Sequence, residues 1–454
     1  MNNIKNYVVN KTDELSYVLK KIDKNEHGII FIEDNAKIIG VATDGDIRRK
    51  LIEEQKLTLQ IKDCMNTNFI YLTESEATKE NILKLLDTRI KIIPILNDSK
   101  KLISVVSKES LFWDEKEKVI SKAKSPVRIS FAGGGTDLTT YFYEEGGAVL
   151  NATINKFTHA VLEKRDDKKI IINSFDLNKS LEFKNITEIN LNGDLDLIKS
   201  VIQILKPTFG FTLSTYSDVP PGSGLGGSAV LLSAIIGAFN SYKENKFSDY
   251  EIAELAFHAE RVVMKLSGGW QDQYATVFGG FNFIELKDRE NIVNPLRISS
   301  DIINELEDSL ILCYTGINHN SGDIHDEQKL LMKNKSQKEY AETAKDIAHE
   351  MKSKLLKGQI DNFGELLGKA WETKKKFSPK ITNNYLDEIY DYAMQNGALG
   401  GKLLGAGSGG YYLFYVPTFK KMPLIQSLES RGFKIESITF DDTGLRQWIT
   451  KKKV

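Results

Sequence analysis

The sequence predicts a mixed α/β and α+β protein in which a small repeated α/β unit precedes a larger two-part region. Three observations carry this prediction. A strand–turn–strand layout occurs twice before residue 115. A strand, a glycine-rich loop and an apolar helix follow one another across residues 211–239. The last third alternates long helical patterns (336–357 and 383–396) with strands around a second glycine-rich turn. A chain of 454 residues exceeds one ordinary core and divides into two to four domains.

In the first region, Ile29–Ile32 is a strand signal, Asp34-Asn35 a turn, and Lys37–Ala42 a second strand. The layout returns in Ile92–Leu96, the Asn97-Asp98-Ser99 turn and Leu102–Val106. Thr43 and Ser107 close these two hairpins, and such a repeat predicts two copies of one unit packed together, over residues 1–57 and 58–114. The charged segment WDEKEKVISKAK, from Trp113 to Lys124, has no clear partner stripe and reads as a linker, one that can be helical, with 115–124 as its body. Residues 125–300 and 301–454 form the two parts of the larger region. The division follows the charged stretch around Asp288–Asn291.

Composition narrows the function. Sixty-one basic and 62 acidic side chains leave a formal charge of −1, which argues against a nucleic-acid binder. Two cysteines, Cys64 and Cys313, support no disulfide framework or zinc spacing and are expected buried and reduced. The first residues lack a signal-peptide core and no apolar run is long enough to span a bilayer, so the expected compartment is the cytoplasm, with no membrane partner.

The strongest chemical signal is PPGSGLGGSAVLLSAIIGAF, from Pro220. Phe211–Tyr216 before it alternates like a half-buried strand, and Ser228–Phe239 after it reads as a buried helix. Between them, Gly222, Gly224, Gly226 and Gly227 let the backbone approach a ligand, so that N–H groups and a helix N-terminus can hold phosphate oxygens. Gly222-x-Gly224-x-x-Gly227 also satisfies the dinucleotide-binding spacing, but the acidic residue expected about 20 positions on is missing. The Gly-Lys-Ser/Thr of a Walker A loop is absent. A plain tight turn is the remaining alternative.

Residues 248–266 form an amphipathic helical pattern, with Ser248 and Glu251 as a capping box and Ile252, Leu255, Ala256, Ala259, Val263 and Leu266 on one stripe. Glu260 falls beside that stripe, where a carboxylate needs a partner, in a salt bridge with Arg261 or in a functional contact. Asp272 sits in a glycine-preceded, aromatic-rich turn, SGGWQDQY, either as a helix-start acid or as a group that meets a ligand.

The loop PPGSGLGGSA resembles the phosphate-binding loop of the GHMP kinases, the superfamily of galactokinase, homoserine kinase and mevalonate kinase. SPVRISFAGGGTDL resembles the family's first motif and Leu403–Gly410, LLGAGSGG, its third, in the expected order. The resemblance covers about residues 123–454. It implies a ribosomal protein S5 domain 2-like N-lobe, a ferredoxin-like α+β C-lobe, and ATP and Mg2+ as cofactors. ATP phosphates would lie on Pro221, Gly222, Ser223, Gly224, Leu225, Gly226, Gly227 and Ser228, and the metal on Ser228 and Glu260, an oxygen set that suits magnesium. Asp272 would face the attacking sugar hydroxyl and Arg128 would pair with it, whereas an arginine at a strand start is otherwise a solvated surface group. Gly134, Gly135, Thr136, Asp137, Gly407 and Ser408 would contact the sugar; as a bare sequence feature, Asp137 is a turn former.

Gly134 and Gly135 stand where galactokinases carry Glu-His, which disfavours galactose. AGGGTDL, GGWQDQY and FGGFNFIE are similar to bacterial D-glycero-D-manno-heptose 7-phosphate kinases and to fucokinases, so the implied substrate is a sugar or sugar phosphate taken at its anomeric hydroxyl. One departure is Thr315-Gly316-Ile317-Asn318-His319, where heptose kinases tend to place an arginine at the last position. In the N-terminal pair, GVATDGDIRR resembles the end of a CBS module, which implies a nucleotide ribose on Thr43 and Asp46 and an adenine or guanine nucleotide as effector. The second copy, Ser107-Lys108-Glu109-Ser110, lacks that acid. Sensing and a purely structural role, as a folding or homodimerisation unit, both stay open. So does a nucleotide sensor whose kinase fold no longer turns over.

Overall fold

The computed structural model describes residues 4–88, 90–107, 117–317 and 335–453. The chain falls into two compact units, Met1–Glu117 with Lys453–Val454, and Lys118–Lys452.

The first unit contains the predicted repeat. Strands Val8–Asn10, Ile29–Asp34 and Lys37–Thr43 form one three-stranded sheet, and Leu72–Thr73, Ile92–Leu96 and Leu102–Ser107 form another. In each, a parallel pair is followed by an antiparallel hairpin with a register shift. Asn35 and Ala36 both adopt positive φ (51° and 61°), the conformation of the primed turn that joins tightly paired strands. Helix Asp44–Glu54 starts on a capping box: the Thr43 side chain accepts from the Asp46 N–H while Asp46 accepts from the Thr43 N–H.

In the second unit, the 19-residue strand Gly147–Arg165 organises an eight-stranded sheet. One half of it pairs with Gly210–Ser217 and the other with Phe281–Leu286, while its opposite edge carries Glu117–Ala132. The segment expected to be a linker is therefore strand from Glu117 onward; its alternation of charged and small residues serves the pleat, with Ile120, Ser121 and Ala123 buried. Residues 108–116 lie outside the described residues. Helix Gly227–Asn240 is buried on nearly every face, as its almost wholly apolar sequence requires. A second, antiparallel sheet of Gly400–Leu403, Tyr411–Tyr415, Leu310–Tyr314 and Lys434–Glu436 builds the C-terminal part, with helices Lys335–Leu356, Ile360–Lys375 and Asn384–Gln395. The helix Ile360–Lys375 was not anticipated; its core side chains include Phe363, Leu367 and Trp371.

Two expectations are corrected. The amphipathic pattern of 248–266 is α-helical only over Asp249–Phe257 and continues as a π-helical turn over His258–Val263. The wider turn shifts the helix phase, so Ala259 and Glu260 are buried while Val263 is half-buried and Leu266 exposed. Cys313 is buried as expected, but Cys64 is only half-buried; both are free thiols. Among the described residues no helix is long and apolar enough to cross a membrane.

Candidate active site

Arg128 lies in the strand Glu117–Ala132 between two bulges, at Pro126/Val127 and Ser130/Ala132. Bulges turn side chains away from simple alternation, and Arg128 ends up 4 % exposed. Its Nε and Nη2 donate to Asp272 Oδ1 and Oδ2 at 2.8 and 2.7 Å, and Nη1 donates to the Gly224 carbonyl at 2.7 Å. The guanidinium thus joins the acid of the SGGWQDQY turn to the glycine-rich loop. Asp272 stands in the first turn of helix Gln271–Phe278. That helix is tied to the arginine's strand by Thr276, whose hydroxyl donates to the Pro126 carbonyl at 2.5 Å.

Gly222, Gly224 and Gly226 have φ of 74°, 80° and 83°, which only glycine adopts readily. The loop also packs against the third motif: a Cβ on Gly405 would stand 2.5 Å from Gly224 Cα. Pro221–Gly224, Gly226–Ser228 and Ala229 line a cavity of about 270 Å3, together with Glu260, Arg261 and Asp272. Ser174, Asp176, Leu177, Leu197 and Ser217 line it as well. Leu225 is buried in the core and does not line it.

Glu260 is buried and accepts from Gln273 Nε2 at 2.6 Å; Arg261 Nη2 lies 3.3 Å away, and the Ser228 side chain is a further hydrogen-bond partner. Burial pushes its carboxyl above the usual range, while Arg261 opposes that shift. Both the expected structural pairing with Arg261 and the expected proximity to Ser228 are present. Glu260 and Ser228 offer hard oxygen atoms beside the glycine-rich loop, a donor chemistry that fits magnesium together with nucleotide phosphates. Among the described residues there is no cluster of three or more metal-ligating His, Cys, Asp or Glu side chains.

A second cavity, of about 50 Å3, adjoins the first through Arg128, Arg261, Asp272, Gly405 and Ala406. Gly134, Gly135 and Asp137 line it. Asp137 Oδ1 accepts from the Gly135 N–H at 2.9 Å and Oδ2 from the Gln271 N–H at 3.3 Å. Burial, with Asp272 nearby, raises its pKa. Gly269 is required here, since a Cβ would stand 1.9 Å from Asp137 Oδ2. Thr136 faces elsewhere: fully buried, it donates to the Gly133 and Ala148 carbonyls. Gly407 and Ser408 line neither cavity, and the Ser408 hydroxyl donates to the Lys380 carbonyl. His319 lies outside the described residues.

Sequence reading missed Lys374, Lys402, Ser130 and Gln271, and treated Arg261 only as a salt-bridge partner. All five line the second cavity. Ser130 Oγ, Gln271 Oε1 and Arg261 Nε are buried without a hydrogen-bond partner among the described residues. A lysine directly before LLGAGSGG was the one visible signal.

The N-terminal unit holds its own cavity, about 580 Å3, lined from both copies by His27, Thr43, Asn66, Asn68, Phe69 and Lys91 among others. Asp46 does not line it. Its carboxylate is engaged by Thr43 and Arg49.

Residues 196–280 match the GHMP kinases N terminal domain family, 351–421 the GHMP kinases C terminal family, and 3–53 and 61–113 the CBS domain family. The chain is 39 % identical over 333 residues to a D-glycero-alpha-D-manno-heptose 7-phosphate kinase of Campylobacter jejuni, covering 72 % of this chain and 98 % of that protein. It is 27 % identical over 335 residues to a bifunctional fucokinase/GDP-fucose pyrophosphorylase of Arabidopsis thaliana, covering 69 % of this chain but 31 % of that protein. A solved structure of a D-glycero-D-manno-heptose 1-phosphate kinase from Bacteroides thetaiotaomicron superposes with a TM-score of 0.62 at 33 % identity, over 72 % of this chain and 98 % of the other. Ordered motifs, a two-lobed fold and a relative matched nearly end to end agree: the chain belongs to the GHMP kinases, as an ATP-dependent sugar kinase with two CBS domains ahead of its kinase fold.

Proposed function

We propose that this kinase transfers the γ-phosphoryl group of ATP to the anomeric hydroxyl of D-glycero-D-manno-heptose 7-phosphate, giving the 1,7-bisphosphate, for the nucleotide-activated heptose of a surface polysaccharide. The observation that carries this reading is the bidentate Arg128–Asp272 pair where the glycine-loop cavity meets the second cavity. Near end-to-end similarity to the Campylobacter heptose kinase supports the choice of sugar.

In this reading the backbone of Pro221–Ser228 holds the nucleotide phosphates, and Ser228 with Glu260 holds magnesium, which when bound neutralises phosphate charge. Asp272, fixed in orientation by Arg128, accepts a hydrogen bond from the sugar hydroxyl and receives its proton as the new O–P bond forms and the bond to ADP breaks. A carboxylate is a weak base, so positioning and charge neutralisation supply most of the acceleration. Asp137 accepts from a sugar hydroxyl. Use of ATP as the phosphoryl donor supports the cytoplasm as its compartment. The CBS cavity takes an adenine or guanine nucleotide that regulates turnover, with Thr43 and Lys91 at the site, and the pair supports a homodimer. ADP release from Mg-ATP with heptose 7-phosphate, L-fucose, galactose and mannose phosphates tests the reading; turnover confined to L-fucose would replace the heptose by a neutral sugar.

A further inference from the structure

The second cavity gathers more basic than acidic side chains, with Arg128, Arg261, Lys374 and Lys402 set against Asp137 and Asp272. Arg128 is neutralised by Asp272, and Arg261 lies 3.3 Å from Glu260. Neither Lys374 nor Lys402 has a carboxylate within ion-pair distance among the described residues, and both are buried. Lys374 Nζ donates to the Leu403 and Gly405 carbonyls at 2.9 and 2.6 Å. Lys402 Nζ donates to the Ser130 and Phe131 carbonyls at 2.9 and 3.2 Å. Once protonated, each lysine has a third N–H donor that no described residue takes. The remaining carboxylate on the cavity wall, Asp137, is held by backbone N–H groups.

Buried charge without a counter-charge is costly, so burial disfavours the ammonium form of both lysines until a ligand brings the opposite sign. Ser130 Oγ and Gln271 Oε1, buried on the same wall without a partner among the described residues, are free to meet polar atoms of a ligand. We propose that Lys374 and Lys402 are the counter-charge for an anionic group on the acceptor, so that the subsite selects a phosphorylated or carboxylated sugar over a neutral one. This rests on the kinase reading above but not on which sugar is used. Desolvation and the Arg128 charge lower the Lys402 pKa to about 7 and hold Lys374 well below the ordinary lysine range, against the opposing pull of Asp137 on Lys402. An arriving anion reverses that shift, and the lysines take up protons as it binds.

The test is titration calorimetry of the full-length protein at pH 8 in two buffers of different ionisation enthalpy. Heptose 7-phosphate and mannose 6-phosphate are compared with heptose and mannose; at this pH the sugar phosphates are already dianions. The expected result is uptake of about one proton for each bound sugar phosphate, little or none with the neutral sugars, and none with Mg-AMP-PNP alone. Lys402→Met and Lys374→Met should raise the KM of the sugar phosphate tenfold or more while the KM of ATP moves less than twofold. Tighter binding of the neutral member of each pair, or proton uptake with Mg-AMP-PNP alone, overturns the inference, and the unmodified protein suffices to read both. Preference for mannose 6-phosphate over mannose without turnover of heptose 7-phosphate would remove the heptose assignment and leave this inference standing.

Discussion

Arg128 and Asp272 lie 144 residues apart in the chain and meet through two parallel hydrogen bonds of 2.8 and 2.7 Å. The arginine's third bond, to the Gly224 carbonyl, makes the same side chain a brace for the phosphate loop. Arg128→Lys keeps one charge but loses the fork that makes these bonds at once. It should lower kcat at least tenfold, with a smaller effect on the KM of ATP. Arg128→Met leaves Asp272 without its cation and should also lower stability by about 3–5 kcal/mol, the usual cost of breaking a buried pair. Steady-state kinetics and urea denaturation of the two variants measure these effects separately.

Gly269→Ala places a methyl group where Asp137 Oδ2 now stands, 1.9 Å from the ideal Cβ position. The carboxylate must move, and its bonds from the Gly135 and Gln271 N–H groups go with it. Sugar KM should rise tenfold or more while nucleotide affinity, measured by fluorescence titration, stays within a factor of two. An equal loss of both affinities would show that Asp137 does not serve the acceptor side alone.

Stability should depend on pH through Lys402. Its pKa in the folded protein is lowered to about 7, against about 10.4 for an unperturbed lysine. The folded state therefore binds fewer protons than the unfolded state between these values, and stability rises with pH across that window. The contribution is present in full above the unfolded pKa and is lost as pH falls through about 7. In chemical denaturation at pH 7 and pH 9, Lys402→Met should show a smaller gain at the higher pH than the unmodified protein. An identical gain would mean that Lys402 stays charged when buried.

The CBS cavity offers a separable prediction. Lys91 is a cationic side chain on its wall, and Asp46 is not on the wall at all. Lys91→Met should weaken AMP or ADP binding to the N-terminal unit several-fold and leave the KM of Mg-ATP at the kinase site unchanged. Asp46→Asn should instead disturb the capping box of helix Asp44–Glu54, at a cost of about 1 kcal/mol, with little change in nucleotide affinity. Isothermal titration with each variant distinguishes the two roles.

What could be read from the sequence was local. The glycine-rich loop declares itself because positive φ at Gly222, Gly224 and Gly226 demands that residue type, and the CBS-like hairpins declare themselves by repetition. Glu260 could be placed beside a buried stripe, but the π-helical turn that sets its direction leaves no periodic signal. The lysines were hidden for a different reason. Lys402 meets Ser130 across 272 residues, and Lys374 lies on the helix Ile360–Lys375, where a run of three lysines reads as a solvated helix end. Burial of such charges is decided by packing between distant segments, which residue spacing does not encode. Thr136 and Ser408 show the opposite case: motif position suggests ligand contact, while their hydroxyls are engaged by backbone carbonyls.

The most direct test of the central claim is single-turnover phosphoryl transfer from Mg-ATP to heptose 7-phosphate, followed by 31P NMR, in the unmodified protein and in Asp272→Asn. The expected result is one new phosphorus signal at the anomeric position for each ADP released, and a fall of about 10²–10⁴-fold in rate in Asp272→Asn with nucleotide binding retained. Nucleotide binding without sugar-dependent ADP release, or equal rates in the two proteins, would contradict the assignment of this site.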